Sequence, residues 1–359
     1  MRIAQVCPYS LTIPGGVQGQ VLGLARAFRE LGHDARVLGP CDGPPPEPGV
    51  EPLGQSIPLA TNGSVAPIAP DMYAALRTVR ALRAEAFDVV HVHEPLVPGP
   101  SMTALLFSDA ALVGTFHRSG PSQAYRWFGP MVRMMARRLG RRCAVSVDAR
   151  STAQSALGGH YDLVFNGIDV DRFAKATPAP TTAPTVFFIG RHEVRKGLDV
   201  LIEAFDGLDG AILWVAGDGP QTQELKSRSR DNQRIEWLGR ITDAEAARRM
   251  AGADVVCAPS LRGESFGVIL LEAMAARTAL VATDLPAYRR VARPGIDALL
   301  VPPGDAGQLA AALSRALFEP GLAARLVESA QSRANEYSMD RLAQRYLDIF
   351  DQTAPARAR

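Results

Sequence analysis

The chain predicts an α/β fold: two Rossmann-like, doubly wound domains facing across a cleft. Its 359 residues are enough for about two domains, each burying its own core. Short apolar runs alternate with amphipathic segments through the first half, and the same alternation restarts beyond Phe165–Asp169. The expected domains are residues 1–167, joined by a returning helix over 340–359, and residues 168–339.

Ile3–Cys7 reads as the first strand and Pro14-Gly15-Gly16 as a Gly-rich turn. A helix follows with Val21, Leu22, Leu24, Ala25, Phe28 and Leu31 on its inner side, and Gly32 stops it. Ala35–Leu38 is the next strand, and the Pro- and Gly-rich stretch Cys41–Pro58 reads as loop. A helix over Met72–Ala86 leads to the strand Val89–His93, and Leu112–Phe116 is a further strand ending at His117. After the linker-like Thr177–Pro184, strands are expected at Val186–Ile189, Ala211–Ala216, Ile235–Leu238, Val255–Ala258, Leu280–Ala282 and Leu299–Val301. A last helix is expected around Asp340–Gln352.

Composition narrows the function. A net charge of +2 gives no bulk attraction to nucleic acid, and no nucleic-acid-reading motif accompanies the arginines, so no nucleic-acid partner is expected. Cys7, Cys41, Cys143 and Cys257 stand far apart without a Cys-x-x-Cys pair, which predicts neither a zinc site nor a disulfide framework and fits a reducing cytosol. No apolar run approaches the roughly 20 residues of a membrane span. The expected location is the cytoplasm, including the inner face of the cell membrane.

Three strand-end loops of the second half carry chemistry. Gly190-Arg191 followed by Lys196-Gly197 puts two cations after a strand, suited to a diphosphate whose charge grows as it leaves. The plainer alternative is a solvated surface loop. Gly217-Asp218-Gly219-Pro220 would let a base or phosphate approach the backbone, or is simply a strand–helix turn. In Gly263-Glu264-Ser265-Phe266-Gly267-Val268, Gly267 and Val268 stand where a helix should begin, so their free amides would face an anion. Glu264 precedes that helix and Glu272 lies within it; the alternative is an acid answering the helix dipole followed by a surface acid.

Gly263–Glu272 resembles the Glu-x7-Glu motif of the family-4 retaining glycosyltransferases of the GT-B fold, and Arg191 and Lys196 match that family's donor-phosphate pair in spacing. The resemblance implies that Glu264 orients the donor sugar, Glu272 binds the ribose, and Arg191 with Lys196 holds the diphosphate. Gly190, Gly217, Gly219, Phe266, Gly267 and Val268 complete the implied donor site. Within the family the chain resembles the actinobacterial phosphatidylinositol mannosyltransferases, which use GDP-mannose. Stretches carrying this include Val6–Ser10, Pro14–Gln18, Asn62–Ala66, His91–Pro95 and Thr115–His117. By that likeness Gly16 lies by the donor diphosphate, while Tyr9, Gln18, Asn62, Ser64 and His117 line the acceptor pocket. His117 joins Arg191, Lys196 and Glu264 as the implied catalytic set. Pro67 and Ser122 stand where those enzymes carry cations facing the lipid phosphate, and Arg118 is the candidate replacement.

The expected reaction is transfer of mannose or a similar hexose from GDP-mannose to a lipid-linked or polyol acceptor, phosphatidylinositol included, with retention. Neither a cofactor nor a metal is expected. Arg126–Arg142, with arginines interleaved among Trp127, Phe128, Met131, Met134, Met135 and Leu139, reads as a basic amphipathic helix for an anionic membrane, and Arg77, Arg80 and Arg83 form a second candidate. Competing readings are a family-4 enzyme with another nucleotide sugar and a soluble acceptor, and a non-catalytic nucleotide-sugar-binding module. A dinucleotide oxidoreductase would need Gly-x-Gly-x-x-Gly directly after the first strand, which is absent.

Overall fold

The computed structural model describes residues 1–61, 64–118, 120, 129–264 and 266–354, the side chains of 60, 61, 64 and 65 excepted. It divides into two compact units, Met1–Gly167 with Met339–Arg359, and Ile168–Ser338.

The first unit is built on β1 (Arg2–Val6), β2 (Asp34–Gly39), β3 (Val50–Pro52), β4 (Ile57–Thr61), β5 (Ser64–Ile68), β6 (Val89–His93), β7 (Ala111–Phe116), β8 (Arg141–Ala144) and β9 (Asp162–Leu163). Seven of these form a parallel sheet in the order β3-β2-β1-β6-β7-β8-β9, while β4 and β5 make an antiparallel hairpin. The chain winds outward in one direction from β1 and then in the other from β6. Ligands in such sheets meet the carboxyl ends of the strands at that reversal.

Strands β1 and β6 are buried on both faces, which is why they read as continuous apolar runs. The Gly16–Glu30 helix packs on one side, with Phe28 5.6 Å ring to ring from Phe350 of the returning helix Met339–Thr353. Asp71 caps the Met72–Ala84 helix by accepting from the Ala74 amide at 3.0 Å, and Gly32, at φ 84, supplies the left-handed turn after the first helix.

Two sequence expectations fail in this unit. Cys41–Pro58 is not all loop, since it contains β3 and the start of β4. Among the described residues of Arg126–Arg142, the helix covers only Gly129–Ala136, and Arg141 and Arg142 lie in β8. Arg141 pairs with Asp162 and Gln352, and Arg142 donates to the carbonyls of Gly158 and Ala136. Arg133 and Arg138 likewise donate to the carbonyls of Ala156 and Ser108. Arg126, Trp127 and Phe128 lie outside the described residues. Four of the five arginines described here thus also hold the fold, while Met131 and Met134 stand exposed on the same helix.

The second unit repeats the plan with β10 (Thr185–Ile189), β11 (Ile212–Ala216), β12 (Ile235–Gly239), β13 (Val255–Ala258), β14 (Ala279–Thr283) and β15 (Leu299–Val301). Its parallel sheet runs β12-β11-β10-β13-β14-β15, reversing between β10 and β13. Val186, Phe188, Leu213, Val215, Val255 and Val281 share one buried cluster with Leu198, Leu201 and Phe205 of the Leu198–Asp206 helix.

Candidate active site

At the β10/β13 reversal, two strand-end loops face each other. After β10 the chain passes through Arg191 to a short 3-10 turn, Val194–Lys196, and leaves it at Gly197 with φ 65. A Cβ on Gly197 would stand 2.1 Å from the Pro259 carbonyl, so glycine is what lets this loop close on the loop after β13. The closure brings Lys196 Nζ to 2.6 Å from Glu264 Oε1, which also accepts from Ser260 Oγ at 2.8 Å and has Arg195 at 3.8 Å. Tyr288 in turn donates to Ser260 Oγ at 3.1 Å.

Arg191 sits at the outer end of the same network. Its Nε is 2.9 Å from Glu193 Oε1, whose other oxygen takes Arg195 at 2.8 Å. Charges therefore alternate from Arg191 through Glu193, Arg195 and Glu264 to Lys196, three cations against two carboxylates. Glu193, Arg195, Ser260 and Tyr288 were not singled out from the sequence. The Lys/Arg and Glu in the run His192-Glu193-Val194-Arg195-Lys196 were the available signal for the first two.

Glu264 leads into the helix Val268–Ala275. Gly267, at φ 98, is its N-cap, a residue with no side chain to cap the first amides, and the first turn carries no acid. That end is open to an anion in both hydrogen bonding and dipole. Phe266 is 1% exposed and its ring packs edge-on to Tyr337, so its side chain belongs to the core and only its backbone is left for a donor. Gly217 and Gly219 also acquire a plainer reason. A Cβ on Gly217 would stand 2.0 Å from the Gly190 carbonyl, and one on Gly219 2.6 Å from that of His192. Their bareness serves the packing of the loop after β11 against the loop after β10.

Glu272 is half-buried on the same helix, with Arg172 at 3.7 Å, and Arg172 also reaches Asp243 at 3.3 Å. Burial pushes the Glu272 carboxyl up to about 7, against the pull of Arg172. The resemblance implies that Glu272 accepts from two ribose hydroxyls, which it can do only when ionised. Below pH 7 Glu272 takes up a proton, so nucleotide-sugar affinity is expected to weaken about tenfold from about pH 8 to about pH 6. Calorimetric titration checks this, with Glu272→Gln removing the dependence. Because the folded value lies above the unfolded one, the same group lowers fold stability as pH rises through about 4.5 to 7.

The first unit gathers a second set at the carboxyl ends of β1, β6 and β7. His93 ends β6, its Nδ1 2.9 Å from His117 Nε2 and its Nε2 2.9 Å from Gln5 Oε1 on β1. Glu94 follows at φ 46, a conformation that costs a non-glycine residue about 1–3 kcal/mol. Its Oε1 accepts from the His117 amide at 2.6 Å and the Arg118 amide at 2.8 Å, which pins the turn carrying His117. Burial lowers the His117 imidazole to about 4, so its ring is neutral at physiological pH.

Gly16 opens the Gly16–Glu30 helix, exposed, and a Cβ there would meet nothing within 4 Å. Gln18 is 7% exposed, and its amide nitrogen donates to the Ser10 and Ile13 carbonyls, so it braces the loop. Tyr9 bridges to Ile68, and the Ser10 amide donates to Pro67 at 2.9 Å, which seats the hairpin over the end of β1. Asn62 and Ser122 lie outside the described residues, as does the side chain of Ser64.

Comparison with known proteins bears on both units. The family described as Glycosyltransferase Family 4 matches residues 14–172, and that described as Glycosyl transferases group 1 matches residues 183–319. A phosphatidyl-myo-inositol mannosyltransferase of Mycobacterium leprae (strain TN) is 39% identical over 99% of this chain and 97% of its own length. One from Mycolicibacterium smegmatis (strain ATCC 700084 / mc(2)155) is 40% identical, covering 99% of this chain and 95% of that one. Among solved structures, a sucrose-phosphate synthase from Thermosynechococcus elongatus superposes with a TM-score of 0.75 over 98% of both chains at 19% identity, a likeness of fold. With 39% and 40% identity over nearly the full length of such relatives and both domain families matched, the chain belongs to the family-4 glycosyltransferases of the GT-B fold and is an enzyme.

Proposed function

We propose that this glycosyltransferase moves mannose from GDP-mannose to an inositol-lipid or polyol acceptor with retention at the anomeric carbon. The observation that carries the reading is the Lys196–Glu264 pair set beside Arg195 and the uncapped helix start at Gly267. The bond from the anomeric carbon to the diphosphate breaks, and the cations with the helix amides hold the charge left on the phosphate oxygen. The acceptor hydroxyl attacks from the face the diphosphate leaves, and its proton passes to that departing oxygen. Glu264 accepts from sugar hydroxyls and Glu272 from the ribose. The names of the relatives support an inositol-lipid acceptor, while Pro67, without a charge to meet a lipid phosphate, favours keeping soluble polyols as a second reading. Turnover of GDP-mannose and UDP-sugars against inositol lipids and free polyols tests it. Transfer from a UDP-sugar alone would overturn the donor, and transfer to polyols alone the lipid acceptor.

Contact with a membrane surface is best supported on the Met72–Ala84 helix. No helix of the described residues is long and apolar enough to cross a bilayer. Met72, Tyr73 and Leu76 are 76%, 78% and 62% exposed, and Arg77, Arg80 and Arg83 are exposed beside them. Apolar side chains flanked by arginines suit an anionic lipid interface. At about 1 kcal/mol per cation, replacing Arg77 and Arg80 with Ala is expected to lower binding to phosphatidylglycerol vesicles by at least tenfold. Co-sedimentation, with phosphatidylcholine vesicles as reference, checks it.

A further inference from the structure

Gln5 is out of place chemically. It is 0% exposed on a strand whose neighbours Ile3, Ala4 and Val6 are equally buried. Its Oε1 accepts from a ring, yet its Nε2 is buried with no hydrogen-bond partner. A buried amide that is half satisfied weakens a core, so its presence on β1 asks for a reason other than stability.

The reason lies in what Gln5 touches. Gln5 Oε1, the His93 ring and the His117 ring form one line of hydrogen bonds, with the two rings stacked at 5.2 Å. His91, in register with Gln5, forms a separate branch through Thr115 to Tyr346 of the returning helix. Burial holds His93 and His117 neutral, each with a single ring N–H. An amide oxygen only accepts, so His93 must carry its proton on Nε2. Its Nδ1 is then bare and must receive the proton of His117 Nε2. That leaves Nδ1 of His117 as a lone pair.

We propose that Gln5 acts through His93 to set the tautomer of His117, so that the His117 nitrogen left over by the relay is an acceptor for a substrate hydroxyl. The relay requires only the line of contacts; its use in transfer rests on the reading of His117 as a catalytic side chain of the acceptor pocket. Gln5 and His93 are positioning residues. They decide which way the hydroxyl's proton points, and hence that its oxygen lone pairs stay free. Were the Gln5 amide turned over, every bond in the line would reverse and His117 would present an N–H.

The test is long-range 1H–15N correlation of protein labelled with 15N-histidine, where a bare ring nitrogen resonates far downfield of a protonated one. Six histidines give few signals, and His93→Gln and His117→Gln identify the two of interest by subtraction. Both are expected as Nε2–H tautomers, unchanged down to about pH 5.5. In Gln5→Leu an unpartnered lone pair on His93 is favoured over an unpartnered N–H, so the His117 proton moves to Nδ1. The value of kcat then falls about tenfold with little change in the donor KM. Gln5→Glu keeps an acceptor against His93 and is expected to keep the wild-type His117 tautomer, with turnover above that of Gln5→Leu. A wild-type His117 protonated at Nδ1, or an unmoved His117 signal in folded Gln5→Leu, overturns the proposal. The wild-type spectrum decides it even if Gln5→Leu does not fold. If the tautomers are as expected but His117→Gln transfers sugar normally, the reading of His117 as a substrate contact fails while the relay stands.

Discussion

Lys196→Ala is expected to lower kcat/KM by about 10²–10³, the loss typical of removing one preorganised group aimed at developing charge. Two effects add. On the proposed reading the leaving diphosphate loses a cation, and Glu264 loses the partner at 2.6 Å, keeping Ser260 and the more distant Arg195. An unneutralised carboxylate then repels the phosphates the site is meant to hold. Adding Glu264→Gln to Lys196→Ala should therefore recover part of the phosphate binding, although it costs whatever Glu264 contributes to the sugar. Lys196→Arg should retain a fraction of activity, since its charge survives but its planar fork does not reproduce a compact ammonium. Steady-state kinetics on the four proteins separates these terms, and unchanged turnover in Lys196→Ala would remove Lys196 from the site.

Gly217→Ala is expected to destabilise the second unit by about 3 kcal/mol. Its φ of 113 lies where L residues rarely go, and the new Cβ would stand 2.0 Å from the Gly190 carbonyl, backbone that cannot rotate away. Relief requires moving the loop that carries Gly190 and Arg191, so activity should fall with stability. Gly16→Ala is the informative contrast. With nothing within 4 Å of its Cβ at a helix start, it should fold as well as the parent, so any loss of donor affinity there reports a ligand approaching the backbone. Denaturant unfolding together with donor titration distinguishes the two glycines. A Gly217→Ala protein of parental stability would show that the loops are not held as described.

Much of the site was legible because it lies along the chain. Arg191, Lys196, Glu264 and Glu272 are marked by residue type, by spacing and by their place after apolar strands. What they meet was not legible. Glu193, Arg195, Ser260 and Tyr288 become partners only when the loops after β10 and β13 close, and that closure depends on Gly197 seen against Pro259. Glu94 and Gln5 left faint traces: an acid at a strand end, and one polar residue inside an apolar run. For Gln18 and Phe266 the structure adds packing partners, since a motif names a position without saying which way its side chain points.

The sequence by itself determined the strand–helix order, the restart near Ile168 and the cations and acids of the loops after β10 and β13, because apolar periodicity and turn residues are local properties. Tertiary structure alone decided that β4 and β5 pair across Pro58 and Pro67, that Arg141 and Arg142 serve a strand, and which histidine nitrogen faces which neighbour. Those outcomes depend on which groups compete for the same hydrogen bonds and the same buried volume, and that competition is settled only when distant segments meet.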